Sequence, residues 1–179
     1  MTPDTQGYSL TARVFHWVTA ILVLAAIPMA IIMNNIGPGS LQNVLFDTHR
    51  SLGVLVLPIA LIRLFWRFGH PPPVLPDDIP AAQQFVANLT HYALYALLIV
   101  QPILGWVATS AYRAPITVFW LFTLPPIWPE NRAFSERLFE VHMWMGIAMA
   151  LLLCAHIGAA LFHHFVRRDR ILIRMWSGA

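Results

Sequence analysis

The chain has 179 residues, of which 58% are hydrophobic and only 11% charged, with a mean hydropathy of +0.65. That balance excludes an ordinary soluble domain and reads as an integral membrane protein. All 11 basic residues are arginines and none stands in a basic run mixed with polar sequence, so the net charge of +3 points to membrane topology and lipid headgroups, not nucleic acid.

Residues 1–11 are short and polar, and the apolar run Val14 to Met33 follows, interrupted by Pro28 and carrying His16 and Trp17. A cleaved signal peptide needs a basic start and a small-residue cleavage site. Neither is present, so the run is expected to be a first span, about 12–34. Asn34, Asn35, Gly37, Pro38 and Gly39 end it by turn chemistry and open a connection to about Asp47. A second span is expected at about 48–68, with His49 at its start and Pro58 inside. A proline is tolerated within a membrane helix where neighbours satisfy the freed carbonyl. His70 to Pro80 is too proline-rich for helix and reads as an extended linker outside the bilayer.

Helix resumes at about 82, and a third span runs from about His91 to Tyr112, with Pro102 and Gly105 inside it. Residues 114–129 are apolar and aromatic but hold Pro115, Pro125, Pro126 and Pro129. They are expected to form an interfacial loop, with Trp120 and Trp128 at headgroup level. The fourth span, about 141–166, is apolar apart from its histidines, His142, His156, His163 and His164. An arginine-rich tail follows, and no internal repeat is evident. The expected fold is all-α: an integral membrane four-helix bundle forming one transmembrane domain over 1–179.

Four spans put both termini on one side. Seven arginines fall on that side (Arg13, Arg63, Arg67, Arg167, Arg168, Arg170 and Arg174) and four on the other (Arg50, Arg113, Arg132 and Arg137). The positive-inside rule then places the termini in the cytoplasm. On the opposite face the four arginines are matched by Asp47, Glu130, Glu136 and Glu140, so its formal charge is zero.

Polar side chains at membrane depth are costly and mark function. On an α-helix His156 lies only about 40° round from His142, and His163 about 20° further, so the three form one stripe. His142 and His156 are about 21 Å apart along the axis, too far to share one metal. They suit two sites stacked across a membrane. In an up-down bundle the start of span one meets the end of span four, pairing His16 with His156. The starts of spans two and four meet at the other end, pairing His49 with His142. Imidazoles from facing helices are suited to iron and to holding a planar macrocycle in a bundle.

Each of the four has a small residue one turn later (Ala20, Gly53, Gly146 and Ala160), which would leave room for such a ring. The absence of C-x-x-C-H excludes ordinary covalent haem attachment, so any haem would be held by ligation alone. A zinc site would want compact N and S ligands, against which the wide histidine spacing and single cysteine argue. Cys154, among leucines, reads as core filler. His91 and His163 fall beside the proposed His16 and His156 pair, where they could hydrogen-bond the two carbonyls of a quinone.

This ordered set resembles the bacterial cytochrome b561 family, and within it the small di-haem superoxide oxidases. The matching residues are Tyr8-Ser9, His16-Trp17, His49 with Gly53, Arg63, Pro71-Pro72-Pro73, His91-x-x-x-Tyr95, Pro102-x-x-Gly105, Glu140-x-His142, His156 and His163-His164. The resemblance implies two non-covalent b-type haems, an inner one on His16 and His156 and an outer one on His49 and His142. It also implies ubiquinone at His91 and His163, and electron flow from periplasmic superoxide through both haems to ubiquinone in the bacterial inner membrane. Two other classes stay open: an electron-transfer subunit serving a partner dehydrogenase or hydrogenase, and a membrane protein whose histidines are structural.

Overall fold

A computed structural model describes residues 7–76 and 78–178. Four long helices, α1 (Leu10–Asn35), α2 (Ser40–Gly69), α3 (Ala81–Tyr112) and α4 (Arg132–Phe162), are joined by one short hairpin, β1 (Ile116–Val118) and β2 (Phe122–Leu124), and closed by α5 (Ile171–Trp176). Helical structure continues beyond α4 as a π turn, His163–Arg167. With that turn, all four are long and apolar enough to cross a membrane. Their large apolar side chains face outward in numbers, among them Ile21, Phe65, Leu151 and Phe165. In water such a surface would drive aggregation, whereas in lipid it is the ordinary exterior.

The start of α2 and the loop over residues 114–129 differ from the sequence expectation. Helix α2 starts at Ser40, within what reads as a connection, because the polar residues there bond back to the backbone. Gln42 Nε2 donates to Met33 O (2.8 Å) and Ile36 O (3.2 Å), closing the end of α1, and Thr48 Oγ1 donates to Val44 O (2.7 Å). The expected irregular loop contains the hairpin, with Ile116 opposite Leu124 and Val118 opposite Phe122. Phe119 and Trp120 turn it with φ of 44° and 60°, a conformation that usually asks for Asn or Gly. The fully buried Ser51 of α2 holds them there: its Oγ accepts from Phe119 N–H (2.8 Å) and donates to Asp47 O (2.7 Å). Trp120 and Trp128 are exposed.

Cys154 is also placed differently. It is exposed on the outer surface of α4 and does not fill the core. The helical period explains it, since two residues before His156 is nearly the opposite face. The tail folds back as α5, where Tyr8 N–H donates to Arg174 O and Trp17 Nε1 to Met175 O, both at 3.2 Å.

At mid-bundle the core is an apolar layer of Val23, Val56, Leu98 and Met149, completed by Ala60. The first three lie seven residues beyond His16, His49 and His91, and Met149 lies midway between His142 and His156. Seven residues are about two helical turns. The histidines therefore stand in two tiers, one toward each end, with a dry layer between.

Candidate functional site

The tier at the end bearing the chain termini is built from the start of α1, the start of α3 and the end of α4. The His16 and His156 ring centres are 6.3 Å apart at 59°, and His91 packs edge-on against His156 at 5.3 Å. At the hairpin end, the start of α2 and the start of α4 bring His49 and His142 to 6.2 Å at 83°. Both pairs expected from the up-down topology are thus side by side.

The separations have a chemical meaning. Two imidazoles on opposite sides of one iron, each with a metal–nitrogen bond of about 2.0 Å and roughly 1.2 Å more to the ring centre, stand about 6.3 Å apart. Both pairs meet that spacing. Backbone packing leaves the matching gap: α1 packs closely on α2, α2 on α3 and α3 on α4, whereas among the described residues α4 makes few close backbone approaches to α1 or α2. The histidine pairs bridge those two looser seams. Among the described residues no group of three or more His, Cys, Asp or Glu side chains converges as a compact metal cage.

The other ring nitrogens show how each histidine is set. His49 Nδ1 donates to Ala26 O at 3.0 Å, which leaves its Nε2 lone pair for a metal. His142 Nδ1 is buried with no partner of good hydrogen-bond geometry, and Gly105 lies against the ring, so that a Cβ there would come within 3.3 Å of His142 Cε1. Gln101 steadies the same turn by donating Nε2 to His142 O at 3.0 Å. His16 differs, because its Nδ1 faces Arg63 Nη2 at 2.9 Å. Of the expected small-residue gaps, the one at Gly53 is open, since a Cβ there would meet nothing within 4 Å. The one at Gly146 is taken by the Gln101 amide, 3.2 Å from a Cβ at that position.

His91 and His163 make no ring contact with each other. His163 Nδ1 bonds to the Asp169 carboxylate, which also accepts from Ile171 N–H (3.1 Å) and lies 3.5 Å from Arg167 Nε. Sequence reasoning missed Asp169, although it is the only acid among the arginines of the tail. His70 stacks on Trp66 in an exposed position, and His164 packs on Phe165, both apart from the paired rings. A cavity of about 430 Å³ opens between α2 and α3 beside the proline linker, lined by Arg67, Phe68, Pro71, Asn88, Tyr92 and Tyr95.

Comparison with known proteins agrees with this architecture. The family model described as prokaryotic cytochrome b561 matches residues 7–178. The chain is 30% identical to Cytochrome b561 homolog 2 of Escherichia coli K12, covering 97% of this chain and 93% of that protein. It is also 30% identical to Cytochrome b561 homolog 1 of the same organism, over 94% and 96% of the two chains. It is 27% identical to the Probable superoxide oxidase CybB of Yersinia pestis, over 94% of each. Four membrane-crossing helices with two tiers of paired histidines, matched over nearly their whole length, make this chain a member of the prokaryotic cytochrome b561 family, a multi-pass membrane cytochrome b of electron transport.

Proposed function

We propose that the chain holds two b-type haems, on His16 with His156 and on His49 with His142, and carries electrons from superoxide to ubiquinone. The observation that carries this reading is the pair of ring separations, 6.3 and 6.2 Å, each matching two imidazoles on one iron. Bound haem supplies one-electron redox chemistry, which the apolar side chains of this bundle cannot. The balance is two superoxide ions, each losing one electron to become dioxygen, against one quinone gaining two electrons and two protons to become quinol.

The chain's own residues divide the remaining work. The Ala26 carbonyl fixes the His49 ring, and the apolar layer of Val23, Val56, Leu98 and Met149 keeps water from between the tiers. His91, packed against His156, sits where a quinone would be close to the inner pair. His163 donates to Asp169 through Nδ1, so its Nε2 lone pair can accept from a quinol hydroxyl and, once protonated, can donate to a quinone oxygen while the carboxylate orients the ring. The arginine distribution supports termini in the cytoplasm, which puts this proton-requiring end toward cytoplasmic water and the hairpin end toward the periplasm.

Superoxide as the donor is supported by the resemblance and by the Yersinia relative's name. On the hairpin face Arg50 pairs with Asp47 (3.3 Å), Arg113 with Glu130 (3.6 Å) and Arg132 with Glu136 (3.7 Å). Exposed Arg137 is in no ion pair among the described residues, so it is the local attraction offered to an anion. The deciding experiment is rapid mixing of purified protein with superoxide, with no partner present, while haem absorbance is followed. Fast reduction is expected. Haem that superoxide leaves oxidised, but a partner dehydrogenase or hydrogenase reduces, would make this an electron-transfer subunit instead.

A further inference from the structure

Arg63 and Arg67 lie one turn apart on α2 and so share a face. Their Cζ atoms sit 5.2 and 5.8 Å from the centre of the Tyr95 ring. Among the described residues neither is in an ion pair. Tyr8 lies near both, but burial pushes its hydroxyl above the usual tyrosine range, so it contributes no negative charge. Two half-buried guanidinium groups without an anion are expensive to hold at a bundle end.

Arg63 also holds the wrong atom for a loaded site. A guanidinium has donors only, so its 2.9 Å contact makes His16 Nδ1 the acceptor and puts the imidazole proton on Nε2. His49 has the opposite arrangement, with Nδ1–H donating to Ala26 O. An imidazole that binds iron through Nε2 carries its proton on Nδ1. Arg63 would then face an N–H and has to let go.

We infer that Arg63, with Arg67 beside it, is the clamp for the carboxylate arms of the haem held by His16 and His156. The inference rests on the reading of those two histidines as its ligands. When haem binds, Arg63 exchanges His16 Nδ1 for a carboxylate, which suits a guanidinium fork better than a ring nitrogen does. Position selects the anion. Arg63 reaches the iron ligand itself, so its partner must be carried within one side chain's length of His16, as the carboxylates of protohaem are. A lipid phosphate belongs further out, at the headgroup level.

The test uses the full-length, haem-loaded protein with R63Q, R63K and R67Q. Two quantities are read: the midpoint potential of each haem, and the resonance-Raman propionate bending bands, which report hydrogen bonding to haem carboxylates. R63Q should keep both haems, lower the potential of the inner one, shift its propionate band and leave the outer haem unmoved. The potential falls because a nearby cation favours the reduced form, which carries less positive charge. R63K should restore the potential but not the band, and R67Q should move both by less. Retained haems with both quantities unmoved in R63Q overturn the inference. So does a lowered potential with an unmoved band, since the charge would then be acting on some other anion, such as a lipid phosphate. If R63Q does not hold haem, R63K decides by whether its propionate band moves. Unmodified protein whose inner haem lacks two histidine ligands would overturn the ligand reading as well, and that is scored before any variant is made.

Discussion

The His91 and His156 rings meet in a T-shaped contact at a centroid distance of 5.3 Å, joining a residue of α3 to one expected to bind iron on α4. On the reading of His91 as a quinone contact, an electron leaving the inner haem would have a short path. His91→Phe keeps an aromatic ring against His156 but removes the hydrogen-bond donor. It should therefore retain both haems and their reduction by superoxide, while quinone reduction slows by about 10² or more, typical of losing one acid–base group. Stopped-flow turnover with a short-chain quinone measures it, and an unchanged rate would move the quinone elsewhere.

His163 should behave in the same way, and its partner gives a graded version. His163→Phe is expected to slow quinone reduction by about 10², whereas Asp169→Asn keeps the imidazole and loses only the carboxylate that orients it, so its loss should be smaller. Haem content and superoxide reactivity should stay as in the unmodified protein. Equal losses in the two variants would assign the chemistry to Asp169 rather than to the ring.

Haem stoichiometry tests the pairing directly. Purified protein should carry two haems per chain by pyridine haemochrome assay. His49→Ala or His142→Ala should remove the outer one alone. Loss of both haems from a folded single variant, or of neither, would contradict the two-tier assignment.

Ser51 links the bundle to the hairpin beyond the His49 tier. Ser51→Ala leaves the Phe119 N–H without its acceptor at a turn whose backbone is held at positive φ. A cost of about 1–3 kcal/mol is expected for such an orphaned donor, with faster proteolysis near Trp120 as its local sign. Unchanged thermal unfolding together with unchanged cleavage would show that the hairpin is held by other contacts.

Topology follows from the arginine count. A reporter fused after Ala179 should be active only in the cytoplasm. Activity in the periplasm would place the His16 and His156 tier on the outside and invert the direction assigned to electron flow.

The sequence by itself determined the four helices, because about 20 apolar residues must form helix to satisfy their backbone groups in lipid, and that signal is written locally. It also determined which end of the bundle each histidine occupies. Once α1 to α4 alternate in direction, His16, His91 and His156 share one end of the bundle and His49 and His142 the other, and packing decides which of them touch. Other features depended on contacts between residues far apart in the chain. The start of α2 at Ser40 depends on Gln42 closing the end of α1, and the hairpin depends on Ser51, 68 residues from the turn it holds. Local composition reads the first as a connection and the second as an irregular loop. The hydrogen-bond state of each histidine was decided last and only in three dimensions. Whether Nδ1 meets a carbonyl, as in His49, a guanidinium, as in His16, or a carboxylate, as in His163, depends on which neighbouring element supplies the partner, and no spacing in the sequence encodes that.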